Sequence, residues 1–272
     1  MRPWNRVGFW AALVIFTWLL SETCARAETA CQVAPDAGSA PIDIRADPSR
    51  RGKILESVLP SSDLKIARLD TQSRPDGDWL LVEHGTIKGW VKADHLICNV
   101  SPEEARKIIA PLCTRALQAL HSRDMNSLSR LVHPFKGVRF SPYAFLDSKA
   151  NVRFTAPNIR GAFGDKRKRV WGAYDGSGDP IRLSFAQYYE RFVYDRDFAH
   201  TATMTYNGER AHPGTTHDNS RQEYPNAIIA EAYVPGLAPE REGSDYRSLR
   251  LVFEQHSGEW YLVHIVHDQW TI

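Results

Sequence analysis

Two hydrophobic periods divide the chain. Between Ile42 and Leu96, short β-type runs are broken by turn residues about every eight to twelve positions, the pattern of a small barrel or sandwich. The runs are Ile42 to Arg45, Lys53 to Val58, Leu64 to Ala67, Trp79 to Val82 and Gly89 to Val91. At Ser101 the period lengthens. Ser101-Pro102-Glu103-Glu104 combines a capping box with proline at the first helical position, so a helix is predicted to start there. Ile108, Ile109, Leu112, Ala116, Leu117 and Leu120 then repeat at three and four, giving one apolar stripe to about His121. Asp124 is predicted to cap a second, shorter helix through Leu128, Leu131 and Val132, ended by Pro134. Ser184 and Gln187 form another capping box ahead of Phe185, Tyr188, Tyr189, Phe192 and Val193, a third helix with a broad aromatic face.

Beyond Thr201 the period drops to two. Thr201 to Tyr206, Ala227 to Val234, Ser248 to Glu254 and Trp260 to Trp270 read as strands, the last two joined by a hairpin at His256-Ser257-Gly258-Glu259. Helices followed by a long antiparallel sheet predict an α+β domain. With Ser257-Gly258 as the turn, Leu251 falls opposite His264, Phe253 opposite Leu262, Ser248 opposite His267, and Arg247 opposite Asp268.

Composition changes this picture at the start of the chain. Of the 272 residues, only Gly8 to Leu20 is continuously apolar, too short to span a bilayer comfortably, since spanning takes roughly 20 residues. It follows Arg2 and Arg6 and precedes Ala25-Arg26-Ala27, the order of a secretory signal, so residues 1–27 are expected to be a signal peptide cleaved near Ala27. An uncleaved anchor is the alternative. Cleavage would remove Arg2, Arg6, Arg26 and Glu22, leaving 31 basic and 31 acidic side chains. A formally neutral, periplasmic or secreted chain is not expected to bind nucleic acid, and it should meet the membrane only during export.

Ile44-Arg45-x-x-Pro48-Ser49, Gly77-Asp78-Trp79-x-x-Val82 and Gly89-Trp90-Val91, in that order and spacing, resemble the bacterial Src-homology-3-like domain. The resemblance implies a five-stranded barrel within residues 28–98 that holds peptidoglycan or peptide ligands, with Trp79 and Trp90 as its candidate binding residues. Residues 99–272, with three helices before the sheet, resemble the nuclear-transport-factor-2-like (cystatin-like) fold, which implies a curved antiparallel sheet wrapped over the helices as a cone. The strings His133 to Tyr143, Trp171 to Pro180 and His267 to Ile272 further resemble a group of exported bacterial proteins that transfers no activity.

The cysteines extend the barrel argument. Loss of Cys24 with the signal leaves Cys31, Cys98 and Cys113 in an oxidising compartment, with three possible pairings. A helix from Ser101 carries Cys113 about 18 Å from its start. Three extended residues bring Cys98 back roughly 11 Å, and the remaining gap of about 7 Å disfavours a Cys98 to Cys113 bond. In the barrel that the resemblance implies, first and last strands lie close, so Cys31 and Cys98 are predicted to pair, leaving Cys113 a buried thiol.

Candidate chemistry is sparse. Asp175-x-Ser177-x-Asp179 begins like a calcium loop but has Pro180 where the loop needs glycine and Ala186 where it needs a bidentate carboxylate, so a turn is expected there. His264 and His267, three apart on a strand, point to opposite faces and cannot chelate one ion unless the strand is bulged. Lys166-Arg167-Lys168-Arg169 reads as an exposed basic loop, or as a grip for an anionic envelope polymer. Arg139, Tyr143, Asp195, His267 and Asp268 are the candidates for the mouth of a cone, as acid/base groups or a ligand grip. No catalytic triad, phosphate loop or zinc motif is present, and neither cofactor nor metal is expected. The expectation is therefore an exported envelope protein with a non-enzymatic binding or scaffolding role. Its partners would be peptidoglycan or an envelope protein, with a small-molecule ligand in the cone. The alternative is a hydrolase or isomerase acting on a small molecule in the cone.

Overall fold

A computed structural model describes residues 30–33, 41–59, 62–74, 77–147, 150–208, 216–241 and 243–271. The expected signal peptide lies outside them. No helix among the described residues is long and apolar enough to cross a membrane.

The protein is a mixed α+β structure. Strands β1 (Ala30–Val33), β2 (Ile42–Arg45), β3 (Ile54–Val58), β4 (Asp63–Arg74), β5 (Gly77–His84), β6 (Ile87–Lys92) and β7 (Leu96–Asn99) form the first sheet. Five of them, in the order β3-β2-β6-β5-β4, occupy the five sequence runs, and β1 and β7 continue the sheet beyond β4. Every pairing in it is antiparallel. Alternate residues turn inward because side chains on a strand alternate between faces, and Ile42, Ile44, Leu80, Val82, Val91 and Leu96 make a small aliphatic core. At Gly89 the backbone of β2 comes so close that a Cβ would meet Ile44 Cγ2 at 2.6 Å and the Arg45 carbonyl at 2.7 Å. Only glycine fits there, which explains the Gly in Gly89-Trp90-Val91.

Cys31 and Cys98 face one another across β1 and β7, at disulfide distance with their Cα atoms 4.1 Å apart. Cys113 is buried and free, and burial pushes its thiol up to about 12. It behaves as a small hydrophobe.

Helix α1 (Pro102–His121) starts as the sequence predicts, with Ser101 Oγ accepting from the Glu104 N–H at 3.2 Å. It buries Ala105, Ile109, Cys113, Ala116, Leu117 and Leu120. Asp124 caps α2 (Met125–Ser129) through the Ser127 N–H. The two-way capping box of Ser184 and Gln187 opens α4 (Phe185–Phe192). The chain between α2 and α4 adds elements that the periodicity did not predict: β8 (Val138–Ser141), β9 (Val152–Phe154), α3 (Ala156–Arg160), β10 (Arg169–Ala173) and β11 (Pro180–Leu183). The Asp175 to Asp179 turn joins β10 to β11. Short helices α5 (Phe198–Thr201) and α6 (Ser220–Glu223) and strands β12 (Thr203–Tyr206), β13 (Ile228–Val234), β14 (Arg247–His256) and β15 (Glu259–Gln269) complete the second region. Its six-stranded sheet runs β12-β13-β14-β15-β8-β9, with β15 and β8 parallel.

The hairpin turn is where the sequence places it: Ser257 and Gly258 both have positive φ, 54° and 83°, as a type I′ turn requires. Phe253 pairs with Leu262 as predicted. Past that pair the register slips, because Val263 is an extra residue on β15, a bulge. His264 therefore lies opposite Val252, His267 opposite Leu249, Asp268 opposite Ser248, and Arg247 opposite Gln269. The expected Arg247 to Asp268 neighbour pair is wrong for this reason, and so are the expected pairs of Leu251 with His264 and of Ser248 with His267. One sheet face, with Leu249, Leu251, Phe253, Leu262 and Ile265, joins the main core against the helices. The other, with Val252, Val263 and Val266, forms a small second cluster with Leu146 and Ala227.

The two regions meet through Asn226. Its Nδ2 donates to the carbonyls of Ala93 (3.3 Å) and Leu96 (2.6 Å), while its Oδ1 accepts from the Cys98 N–H (3.1 Å). One side chain thereby satisfies three backbone groups at the end of the first sheet.

Candidate functional site

His267 and Asp268 are consecutive on β15 and point to opposite faces, and the bulge sets which of them faces the helices. Asp195, just past α4, and His267 on β15 come together on the helix side. His267 is fully buried, with Nδ1 donating to the Pro142 carbonyl at 3.2 Å and Nε2 lying 3.3 Å from Asp195 Oδ2. Arg247 Nε donates to the same Asp195 oxygen at 2.6 Å. Burial alone would raise the Asp195 carboxyl, but the hydrogen bonds and charges of His267 and Arg247 outweigh it and hold that carboxyl below its ordinary range. Tyr143 belongs to the same side, since its ring and that of His267 both meet Phe192 edge-on.

Asp268 and Arg139 are not part of this group. Asp268, fully buried, points to the other face with Arg250 Nη2 3.8 Å away, and Arg250 also donates to Asp218 and to Ser220 Oγ. Arg139 donates to the Asn151 carbonyl at 3.1 Å. The five residues expected at one mouth thus divide three and two.

A serine and histidine do meet, unforeseen from the sequence, because parallel β8 lays Ser141 beside β15. Ser141 Oγ and His264 Nε2 are 2.8 Å apart, and both residues are fully buried. The proton order follows from the far end of the chain of bonds. Asn151 Oδ1 already accepts from the Asp147 N–H at 2.9 Å, so it also accepts the Ser141 hydroxyl proton at 2.7 Å. Ser141 Oγ then accepts from His264 Nε2–H, and His264 Nδ1 accepts from the Tyr224 hydroxyl at 3.1 Å. Burial, aided by the charges of Arg139 and Arg250, pushes His264 down to about 3 and keeps the ring neutral. A general base takes the proton from its serine. Here the histidine gives one, so the chain of bonds supports the fold instead of activating a nucleophile.

The open hollows lie elsewhere. Trp79 is 2% exposed and half-buried Trp90 pairs with Leu81 and Arg45 across the sheet. The edge of Trp79 nevertheless forms part of a groove of about 410 Å³ with Asp43, Arg45, Arg50, Lys92, Asp94 and His95. Arg45 Nη2 donates to Asp43 Oδ2 at 2.7 Å, and Lys92 Nζ reaches Asp94 at 3.4 Å, so both signs of charge line the groove. Asp94 is also a wall of a second hollow, about 250 Å³, between the two regions. Its floor is apolar, with Ile66, Leu80, Val100 and Trp260, and its rim carries Asp78, Asp94, Glu254 and Lys136. Of the basic run, Arg167 and Arg169 both pair with Asp165, at 2.8 and 2.9 Å, and Arg169 lies over the Phe154 ring.

No protein-family model, curated protein or solved structure matches this chain.

Proposed function

We propose that the protein is an exported cell-envelope protein that binds its ligand without transforming it. In this reading residues 28–98 are a bacterial Src-homology-3-like barrel that grips peptidoglycan or a peptide, and residues 99–272 are a nuclear-transport-factor-2-like cone serving as its scaffold. The groove at Trp79 carries the proposal. Arg45, Arg50 and Lys92 stand there beside Asp43 and Asp94, and the acidic-rimmed, apolar-floored hollow continues from Asp94. Adjacent sets of both charges over an apolar floor suit a short zwitterionic peptide, with its carboxylates at the cations and its amino group at Asp78, Asp94 and Glu254. Peptidoglycan stem peptides have that chemistry. Against catalysis in the cone stands the burial of His264, His267 and Asp268.

The test is co-sedimentation of the exported chain with purified sacculi. Wild type should pellet with them, and Arg50→Glu combined with Lys92→Glu should reduce the bound fraction severalfold without unfolding the protein. Wild type that stays in the supernatant, or a double variant that binds equally well, overturns the proposal. Trp79→Ala is a poor probe, since Trp79 is buried and its loss would damage the sheet itself.

A further inference from the structure

His121 is the last residue of α1, and its imidazole projects over the start of α5, where Asp197 and His200 stand one helical turn apart. His200 Nδ1 lies 2.9 and 3.0 Å from the two Asp197 oxygens, His121 Nδ1 lies 3.6 Å from Asp197 Oδ1, and all three ligand atoms fall within 4.8 Å of one another. The Tyr194 hydroxyl adjoins them, 3.0 Å from Asp197 Oδ1 and 3.2 Å from His121 Nδ1.

We propose that His121, Asp197 and His200 form a binding site for a divalent first-row transition cation of the zinc class. An ion holding nitrogen and carboxylate ligands at about 2.0 to 2.2 Å in a tetrahedron needs those ligands about 3.4 Å apart. The present separations bracket that value, so closing on an ion takes only small side-chain rotations. Two imidazoles with one carboxylate select zinc, nickel or copper over calcium or magnesium, which take oxygen ligands. Tyr194 or water completes the fourth position.

The behaviour of Asp197 is an independent sign. It is the N-cap of α5, where an aspartate ordinarily accepts from the free N–H groups of the first turn, yet its side chain makes no capping bond. The Ala199 N–H instead donates to the Tyr194 hydroxyl at 3.0 Å, and the Asp197 carboxylate is turned to the two histidines. The carbonyl end of the 20-residue helix α1 adds negative potential beside His121, which favours a cation there.

Isothermal titration of the untagged chain with Zn²⁺ tests the site. One saturable site is expected for Zn²⁺ and none for Ca²⁺, and His121→Ala and His200→Ala should each weaken Zn²⁺ binding by more than roughly tenfold to hundredfold, the loss typical when only an outer-shell partner of a ligand is removed. Both histidines are exposed, so these variants should keep the wild-type circular dichroism and thermal midpoint. Absence of saturable Zn²⁺ binding overturns the proposal. So does undiminished affinity in the folded double variant, which would place the ion on other histidines of the chain.

Discussion

The two sheets are held together by different means. The first has a thin aliphatic core, carries no phenylalanine or tyrosine between residues 28 and 98, and ties its two terminal strands through Cys31 and Cys98. The second rests on interlocked rings. Phe140, Phe154, Trp171, Phe185 and Tyr188 meet one another edge-on or stacked, with Trp171 lying 3.8 Å above Tyr188 at an interplanar angle of 11°. A short segment cannot bury enough apolar surface to offset its conformational entropy, so a cross-link that restricts the unfolded chain supplies part of its stability. A longer segment can use large aromatic side chains instead, each of which buries far more area than a valine.

Trp171→Ala should break the second region most severely. It removes a fully buried ring and a hydrogen bond from Nε1 to the Leu183 carbonyl, and a loss of about 3 to 5 kcal/mol is expected by urea denaturation. A loss under about 1 kcal/mol would mean that the aromatic cluster is not the keystone of that region. The corresponding change in the first region is Cys31→Ala with Cys98→Ala. The 67-residue separation sets an upper value of about 4 kcal/mol in the chain-entropy account. Hydrogen exchange should then accelerate in β1 to β7 while amides of β13 to β15 keep their protection. Uniform acceleration in both sheets would erase the distinction drawn here.

Asn226→Ala probes the join between the regions. It strands two carbonyls and one N–H, at a cost of about 1 to 3 kcal/mol for each group that water does not reach, and calorimetry should resolve two transitions where wild type gives one. A single unshifted transition would show that the strap carries no coupling.

A pH dependence is expected in the second region. Burial disfavours the charged ring and pushes His264 down to about 3, well below the ordinary imidazole value of about 6.5. Between those values the unfolded chain binds a proton that the folded chain does not, so stability falls as pH drops from about 6.5 toward 3 and gains nothing at higher pH. His133, lowered to about 4 mainly by burial, adds in the same direction. His264→Gln should flatten the decline of the urea midpoint between about pH 7 and pH 4, and a slope equal to that of wild type would refute this account.

The elements legible in the sequence are those whose signals are local. Ser101, Asp124 and Ser184 cap helices through bonds that span only three residues, and the Ser257-Gly258 turn demands a backbone that glycine supplies. The bulge at Val263 has no such signal, since both alternating sets of residues from Trp260 to Val266 mix apolar and polar side chains and no break in period marks the extra residue. That one residue decided which candidate side chains share a face, keeping Asp195, His267 and Tyr143 together and sending Asp268 to Arg250. Strands β8 to β11 escaped notice because they are three to five residues long, too short for periodicity to stand out.

The sequence by itself determined the α+β class, the helix caps, the hairpin turn and the burial of Cys113, because propensity, capping and apolar periodicity act between residues close along the chain. Tertiary structure alone decided that β8 lies parallel to β15 and delivers Ser141 to His264, that Asn226 fastens one sheet to the other, and that His121 meets Asp197 and His200. These contacts join residues far apart in the chain, where the packing of whole elements fixes positions and no short-range pattern records the outcome.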